Sequence, residues 1–464
     1  MNGPRPAGDR PRGGGLPPRY YGFAHLCLLL AFGALAAAPR SIAGFHYHPR
    51  MVAVVHLVTL GWISASILGT LYLLAPLTFG ARIGRRRGDG WALGLLMVGA
   101  LGMATHFWID EPVGMLWSAA LVIAAFDLVA GRIVPVLRAA TAPAEIKVYF
   151  YLAFANLALA VSLGFLVGLD KVVDVLPGRA LANVYAHAHL AALGWVLMTV
   201  MGAGYRLLPM LLPAAPPRGG LLWTGAIALE IGTLGLAASL AARPALARWF
   251  LLPVLAALAI FFSRVVWMLR HRRPPGPGTP RPDHGIRLVF GALALLLAAT
   301  ILGAAILLAP DGAWKLSAIL AYGACGLLGF TQLVVGVATR LVPLYAYLAA
   351  PPDDETCSRP APPPNALVSR PLQALVTWLW LAGAPLLVLA LTFDRIPWIR
   401  TGALLLLAAV IAGYLSQRTV LARAGTRRAA AGPPPEAAKK RGADDPDPTG
   451  PRSDPQQARD ERAP

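Results

Sequence analysis

The sequence predicts an all-α, polytopic membrane protein of about twelve transmembrane helices, arranged as three diverged four-helix repeats. Three observations predict it. The chain of 464 residues is 57% hydrophobic and only 14% charged, with long uncharged runs throughout. A spanning helix needs about 20 mostly apolar residues, and twelve runs of that kind can be counted. One pattern also recurs along the chain at a nearly constant interval, the signature of an internal repeat.

The pattern is clearest as His187-Ala-His189-Leu-Ala-Ala-Leu-Gly194-Trp195, running on through Gly202, Tyr205 and Arg206 to Pro209. An earlier copy reads His56-Leu-Val-Thr-Leu-Gly61-Trp62, then Gly69, Tyr72 and Pro76, each position 133 residues before its counterpart. A weaker third copy without histidine runs from Gly323 through Gly336, Thr339 and Arg340 to Pro343, a further 134 residues on.

In chain order the apolar runs fall at roughly 21–38, 51–79, 91–109, 113–135, 147–169, 183–213, 220–241, 249–270, 286–309, 314–349, 371–393 and 398–420. The patterned helix is second, sixth and tenth, hence second in each group of four. The repeats span about 21–146, 147–285 and 286–420, within a transmembrane domain over 21–420. Residues 1–20, rich in Pro, Arg and Gly, read as a disordered tail with no cleavage site. Residues 421–464 read as a second, basic disordered tail; 271–285 and 351–366 are Pro- and charge-rich linkers.

The formal charge of +19 does not indicate a nucleic-acid partner, because the basic residues lie in loops and tails between apolar spans. One side carries the N-terminal arginines, Arg82, Arg85-Arg86-Arg87, Arg132, Arg138, the Arg270–Arg287 loop and the C-terminal tail. The other side is sparse in charge. By the positive-inside rule both termini are expected in the cytoplasm, in a multi-pass protein of the cell inner (cytoplasmic) membrane in contact with lipid. Cys27, Cys325 and Cys357 share no metal or redox spacing, and the absence of Cys-x-x-Cys-His excludes covalent c-type haem.

That orientation gathers six of the nine histidines toward the outer face. His56, His187 and His189 fall in the outer third of the membrane, His106 near the same face, and His46 and His48 in the loop before the second helix. His25, His271 and His284 fall on the inner side. Ionisable groups inside a membrane are costly and usually functional. His187 and His189 are two residues apart and so point about 200° apart on a helix, which argues against a shared tetrahedral zinc. They can instead face different neighbouring helices. A haem takes one axial imidazole, or two from facing helices for low-spin iron, and His56 offers a partner at matched depth. The helix glycines let backbones or a flat macrocycle approach closely. His46, His48 and His106 are candidate copper ligands, or else loop histidines that hydrogen-bond or touch a haem propionate. Arg206 and Arg340 read as snorkelling residues. Glu230, Asp127 and Asn156 lie within apolar runs, where Glu230 serves either as a proton relay or as a hydrogen-bonded neutral acid.

The spacing His-x-His, then Gly202 fifteen residues and Pro209 twenty-two residues after His187, resembles the tenth helix of haem–copper oxidase subunit I. Twelve spans in three groups of four are similar to that superfamily. The NnrS-type haem and copper membrane proteins carry a similar helix early in their chains. The resemblance implies a cytochrome c oxidase subunit I-like, pseudo-threefold fold with b-type haem held by His56, His187 and His189. The family's His-x-x-x-Tyr helix and His-His pair, its copper ligands, have no counterpart here, and His-x-His stands on helix six instead of ten.

In that family the first His of the pair faces the preceding repeat and the second the following one. His56 therefore pairs with His187 across one haem, or, with roles exchanged, with His189. In the first arrangement His189 looks toward helix ten, which has no histidine to answer it. The function expected is electron transfer or handling of O₂ or NO, as an oxidoreductase of the oxidase or NO-reductase kind. An electron-donor cytochrome or quinol, and a partner subunit, would serve it. The alternatives are a cofactor-free transporter or channel of three repeats, or a haem-based NO-stress sensor without turnover.

Overall fold

The computed structural model describes residues 15–75, 79–81, 83, 86–274, 283–348 and 364–430. Pro76, Arg82, Arg85, Cys357 and most of the linker and tail residues named above lie outside that set. Among the described residues there is no strand, and twelve helices are long and apolar enough to cross a membrane. They are α1 (Leu16–Ala37), α2 (Pro49–Leu73), α3 (Arg87–Trp108), α4 (Pro112–Ala139), α5 (Ala144–Asp170) and α6 (Ala180–Met210). Then follow α7 (Gly220–Ala242), α8 (Pro244–Arg270), α9 (His284–Leu308), α10 (Trp314–Tyr347), α11 (Arg370–Thr392) and α12 (Ile396–Ala424).

The expected all-α, twelve-span architecture is thus the observed one. Two boundaries differ. α1 begins at Leu16, inside the segment read as a tail, because Pro17 and Pro18 are compatible with a first helical turn. The helix of α12 continues to Ala430, since Ala, Leu and Arg favour helix beyond the apolar run.

Short polar caps set several starts. The Glu111 carboxylate accepts from Val113 N and Gly114 N with Pro112 at the first helical position, and Asp283 caps α9 through Ile286 N at 3.2 Å. Pro135, Pro209, Pro253, Pro343 and Pro385 sit inside helices, as neighbouring helices permit in a membrane protein.

Sequential helices pack as antiparallel neighbours, and the groups join through α4 with α5, α8 with α9, and α12 with α1. The result is a closed ring of three four-helix groups. Its second helices turn inward: 78% of the core window of α2 is buried and 50% for α6 and α10, against 17% for α9. The three are tied directly to one another. Trp195 Nε1 of α6 donates to Ser64 Oγ of α2 at 3.1 Å, and Trp62 Nε1 of α2 donates to the Thr331 carbonyl of α10 at 3.3 Å. Trp62 and Trp195 are repeat equivalents, so the same contact is made twice around the ring.

The signature glycines serve helix packing. A Cβ on Gly69 would meet Tyr20 Cβ of α1 at 2.9 Å, and one on Gly202 would meet Tyr149 Cβ of α5 at 2.7 Å. Gly61 lies against Cys27 of α1 and Gly194 against Asn156 of α5 in the same way. The close approach expected of these positions is therefore made by the first helix of each group, not by space for a flat ring.

Candidate functional site: the histidines of the central helices

His56 lies seven residues into α2 and His187 seven residues into α6, about 10 Å below the helix starts at 1.5 Å per residue. Their depths match. Each is followed by an unusual backbone: Leu57–Ser64 in α2 and Leu190–Leu197 in α6 are π-helical, starting directly after His56 and His189. These stretches occupy the same repeat positions, while α10 is α-helical throughout. Single π-turns widen a helix locally and cluster at functional sites. Each stretch contains a Gly-Trp pair, Gly61-Trp62 or Gly194-Trp195. Hydrophobic periodicity could not have revealed the change of helix type.

The three helix histidines share one tautomer. His56 Nδ1 lies 2.8 Å from the Val52 carbonyl, His187 Nδ1 2.9 Å from the Ala160 carbonyl and His189 Nδ1 2.7 Å from the Tyr185 carbonyl. A carbonyl only accepts, so each Nδ1 carries the proton and each neutral ring keeps its lone pair on Nε2. In His189 that lone pair is taken: the Tyr322 hydroxyl of α10 donates to it at 3.0 Å. His189 does face helix ten, and a tyrosine meets it there. In the 134-residue register of the third copy the counterpart of His189 is Gly323, so Tyr322 stands one residue before that position.

The His56 ring stacks on Phe107, with centroids 4.9 Å apart. Lys171 Nζ stands 5.1 Å from the Tyr47 ring and 5.8 Å from the Phe107 ring, placing a positive group at the same end of the bundle. The His187 ring lies against Gly164 of α5, where a Cβ would meet Cε1 at 2.7 Å.

His46, His48 and His106 are engaged separately. His46 Nε2 pairs with the Tyr185 hydroxyl at 2.9 Å. Burial moves the His46 imidazole below its ordinary 6.5. His48 Nδ1 caps α2 by accepting from Arg50 N at 3.3 Å. The His106 ring is anchored to the Gly102 carbonyl and packs against Gly114 and Ser118 of α4. Among the described residues no three His, Cys, Asp or Glu side chains converge as a metal site.

Several other polar groups find partners. The Asn156 amide donates to Glu230 Oε2 at 2.7 Å and to the Leu152 carbonyl at 2.9 Å. Asp127 lies on an exposed face of α4. Arg340 does not snorkel; it pairs with Asp283 at the start of α9, because the cap carboxylate lies beside it. Arg206 is half-buried. His25, read as an inner-side residue of no note, is 4% exposed, its ring edge-on to Trp62 of α2 with centroids 5.1 Å apart. Its place in a long apolar run was visible in the sequence; which face of α1 it occupied was not.

The fold and these contacts define a polytopic α-helical membrane protein built on three interlocked central helices. No protein-family model matches the chain, and no curated protein matches its sequence.

Proposed function

We propose that the protein is a haem-binding integral membrane protein in which His56 and His187 would hold a b-type haem near the outer face. One observation carries the reading. Two imidazoles from different helices, at matched depth, both donate Nδ1–H to a backbone carbonyl and keep Nε2 for a metal. That backbone bond is the usual partner of a metal-ligating histidine, because it fixes the tautomer and raises ligand basicity. On this ligand chemistry the residues fit the group.

A haem held so would supply one-electron chemistry tuned by its axial ligands and burial. The chain's own residues do the rest. Val52 and Ala160 orient the two rings. Lys171, over the Phe107 ring on which His56 stacks, offers a cation suited to an anionic ligand edge. Phe107 and the surrounding apolar side chains exclude water. His189 is left out of the pair, since the Tyr322 hydroxyl already holds its lone pair.

The role follows as electron transfer or handling of O₂ or NO, with a cytochrome or quinol as electron donor. A place in the inner (cytoplasmic) membrane with both termini cytoplasmic rests on the Lys/Arg bias of the loops.

The test is an optical spectrum of purified protein, oxidised and dithionite-reduced, for wild type, His56→Ala and His187→Ala. A sharp reduced α-band in the wild type, lost or shifted in both variants, is the expected result. A colourless protein produced with ample haem supply would overturn the reading and leave the cofactor-free transporter in the lead.

A further inference from the structure

Thr331, Thr377 and Thr392 each donate to the carbonyl four residues before them, at 2.7 to 2.8 Å, as helix threonines commonly do. Thr233 of α7 is fully buried, yet its hydroxyl makes no hydrogen bond. Asn156 of α5 is fully buried as well. Its amide nitrogen donates to the Leu152 carbonyl and to Glu230 Oε2, which fixes Oδ1 on the other side of the amide. That oxygen also has no partner. Buried polar atoms in this condition are rare in folded proteins and point to an ion or a functional role.

These oxygens share one seam. Asn156 touches Glu230 across 2.7 Å, so its Oδ1, on the same small amide, lies close to the Glu230 carboxylate. Thr233 is three residues after Glu230 and four before Ala237, hence on the same face of α7. Ala237 belongs to a buried cluster with Ala160 of α5, one turn beyond Asn156. Thr233 is thereby held between the α7 residues that meet α5. Asn156 Oδ1 also lies against the π-helical stretch of α6, since a Cβ on Gly194 would meet it at 2.9 Å. Glu230 is ten residues into α7, about 15 Å from the helix start at 1.5 Å per residue. That is the middle of a bilayer core about 30 Å thick.

An amide oxygen, a hydroxyl and a carboxylate in one seam form a hard-oxygen donor set. One carboxylate balances one positive charge, which matters where charge is costly. A divalent ion would bring a second, unbalanced charge and demands about six or more oxygens. With Asn156 and Thr233 enclosed, the occupant is a bare ion and not an organic amine. We propose that Glu230, Asn156 and Thr233 bind a monovalent metal cation, sodium, near the membrane midplane, the depth at which ion-coupled transporters hold theirs. In sodium-free medium Glu230 stays a hydrogen-bonded acid; the cation takes the place of its proton.

The test is binding of radiolabelled sodium to the full chain in lipid nanodiscs, with melting temperature in sodium, potassium and choline chloride as a second readout. Sodium should bind the wild type and, at about 100 times its Kd, raise the melting temperature by a few degrees over choline. Glu230→Gln should lose both binding and the sodium shift, while melting as the wild type does in choline. Thr233→Val removes only a hydroxyl without a partner, so it folds, and it should bind at least about tenfold more weakly. Equal melting of the wild type in sodium and choline, an equal response to potassium, sodium binding kept by Glu230→Gln, or unchanged affinity of Thr233→Val would each overturn the proposal. Haem content enters none of these readouts, so this site and the haem reading fail separately.

Discussion

The Tyr322 hydroxyl donates to His189 Nε2 across 3.0 Å, joining α10 to α6. The rings lie nearly parallel, 17° apart in plane and 5.9 Å between centroids. Together with the two tryptophan bonds, this contact completes a set of links among α2, α6 and α10. Tyr322→Phe should therefore lower stability by about 0.5–1.5 kcal/mol, the net worth of one such bond. Chemical denaturation in mild detergent measures it, and an unchanged midpoint would contradict a structural role for the pair.

Gly164 leaves room for the His187 ring, since a Cβ there would meet its Cε1 at 2.7 Å. Gly164→Ala should displace the imidazole. If His187 is an axial ligand, haem content by pyridine haemochrome should fall severalfold while helicity by circular dichroism stays the same. Full haem retention would remove His187 from the site.

Glu230 accepts from Asn156 at 2.7 Å, and a glutamine carbonyl can accept the same bond. Glu230→Gln should hold stability within about 0.5 kcal/mol, whereas Asn156→Leu strands a buried acceptor and overpacks against Gly194 at a cost of about 1–3 kcal/mol. A Glu230→Gln variant with normal stability but altered proton uptake would reveal a relay; unaltered uptake leaves Glu230 a hydrogen-bonded acid.

His46, in the loop before α2, is buried enough to titrate below its ordinary 6.5. The unfolded chain therefore binds more protons than the folded one just below that value, so stability rises with pH through the window and falls on acidification. Melting temperature should decline as pH drops below about 6.5, and His46→Phe should flatten that part of the profile. A wild-type profile unaffected by the substitution would rule His46 out as the source.

The Arg340–Asp283 pair joins α10 to the start of α9, both side chains largely enclosed. Asp283→Ala removes a charge partner and a helix cap together. It should cost about 1.5–3 kcal/mol, the worth of a charged hydrogen bond. Arg340→Lys, which keeps charge without the guanidinium fork, should cost less. Equal losses would assign the whole effect to the guanidinium pair and none to the cap.

Much of this molecule was legible in one dimension. Apolar run length is a local property, so the spans could be counted, and the 133-residue interval named α2, α6 and α10 before their positions were known. The matched depths of His56 and His187 follow from spacing alone. Nothing in the sequence showed that the helix becomes π-helical directly after His56 and His189. The role of Gly61 and Gly194 was equally hidden, because only packing shows that Cys27 and Asn156 occupy the space beside them.

The sequence by itself therefore determined the class: an all-α membrane protein of twelve spans in three groups, with histidines at one level. It did so because hydrocarbon solvation imposes length and composition on each helix independently. The tertiary structure decided which lone pairs remain free. It gave the His189 Nε2 to Tyr322, left no such partner on the Nε2 of His56 or His187, and buried His25 edge-on against Trp62. Those outcomes depend on the rotation of each helix about its axis, which is set by residues from other repeats a hundred or more positions away.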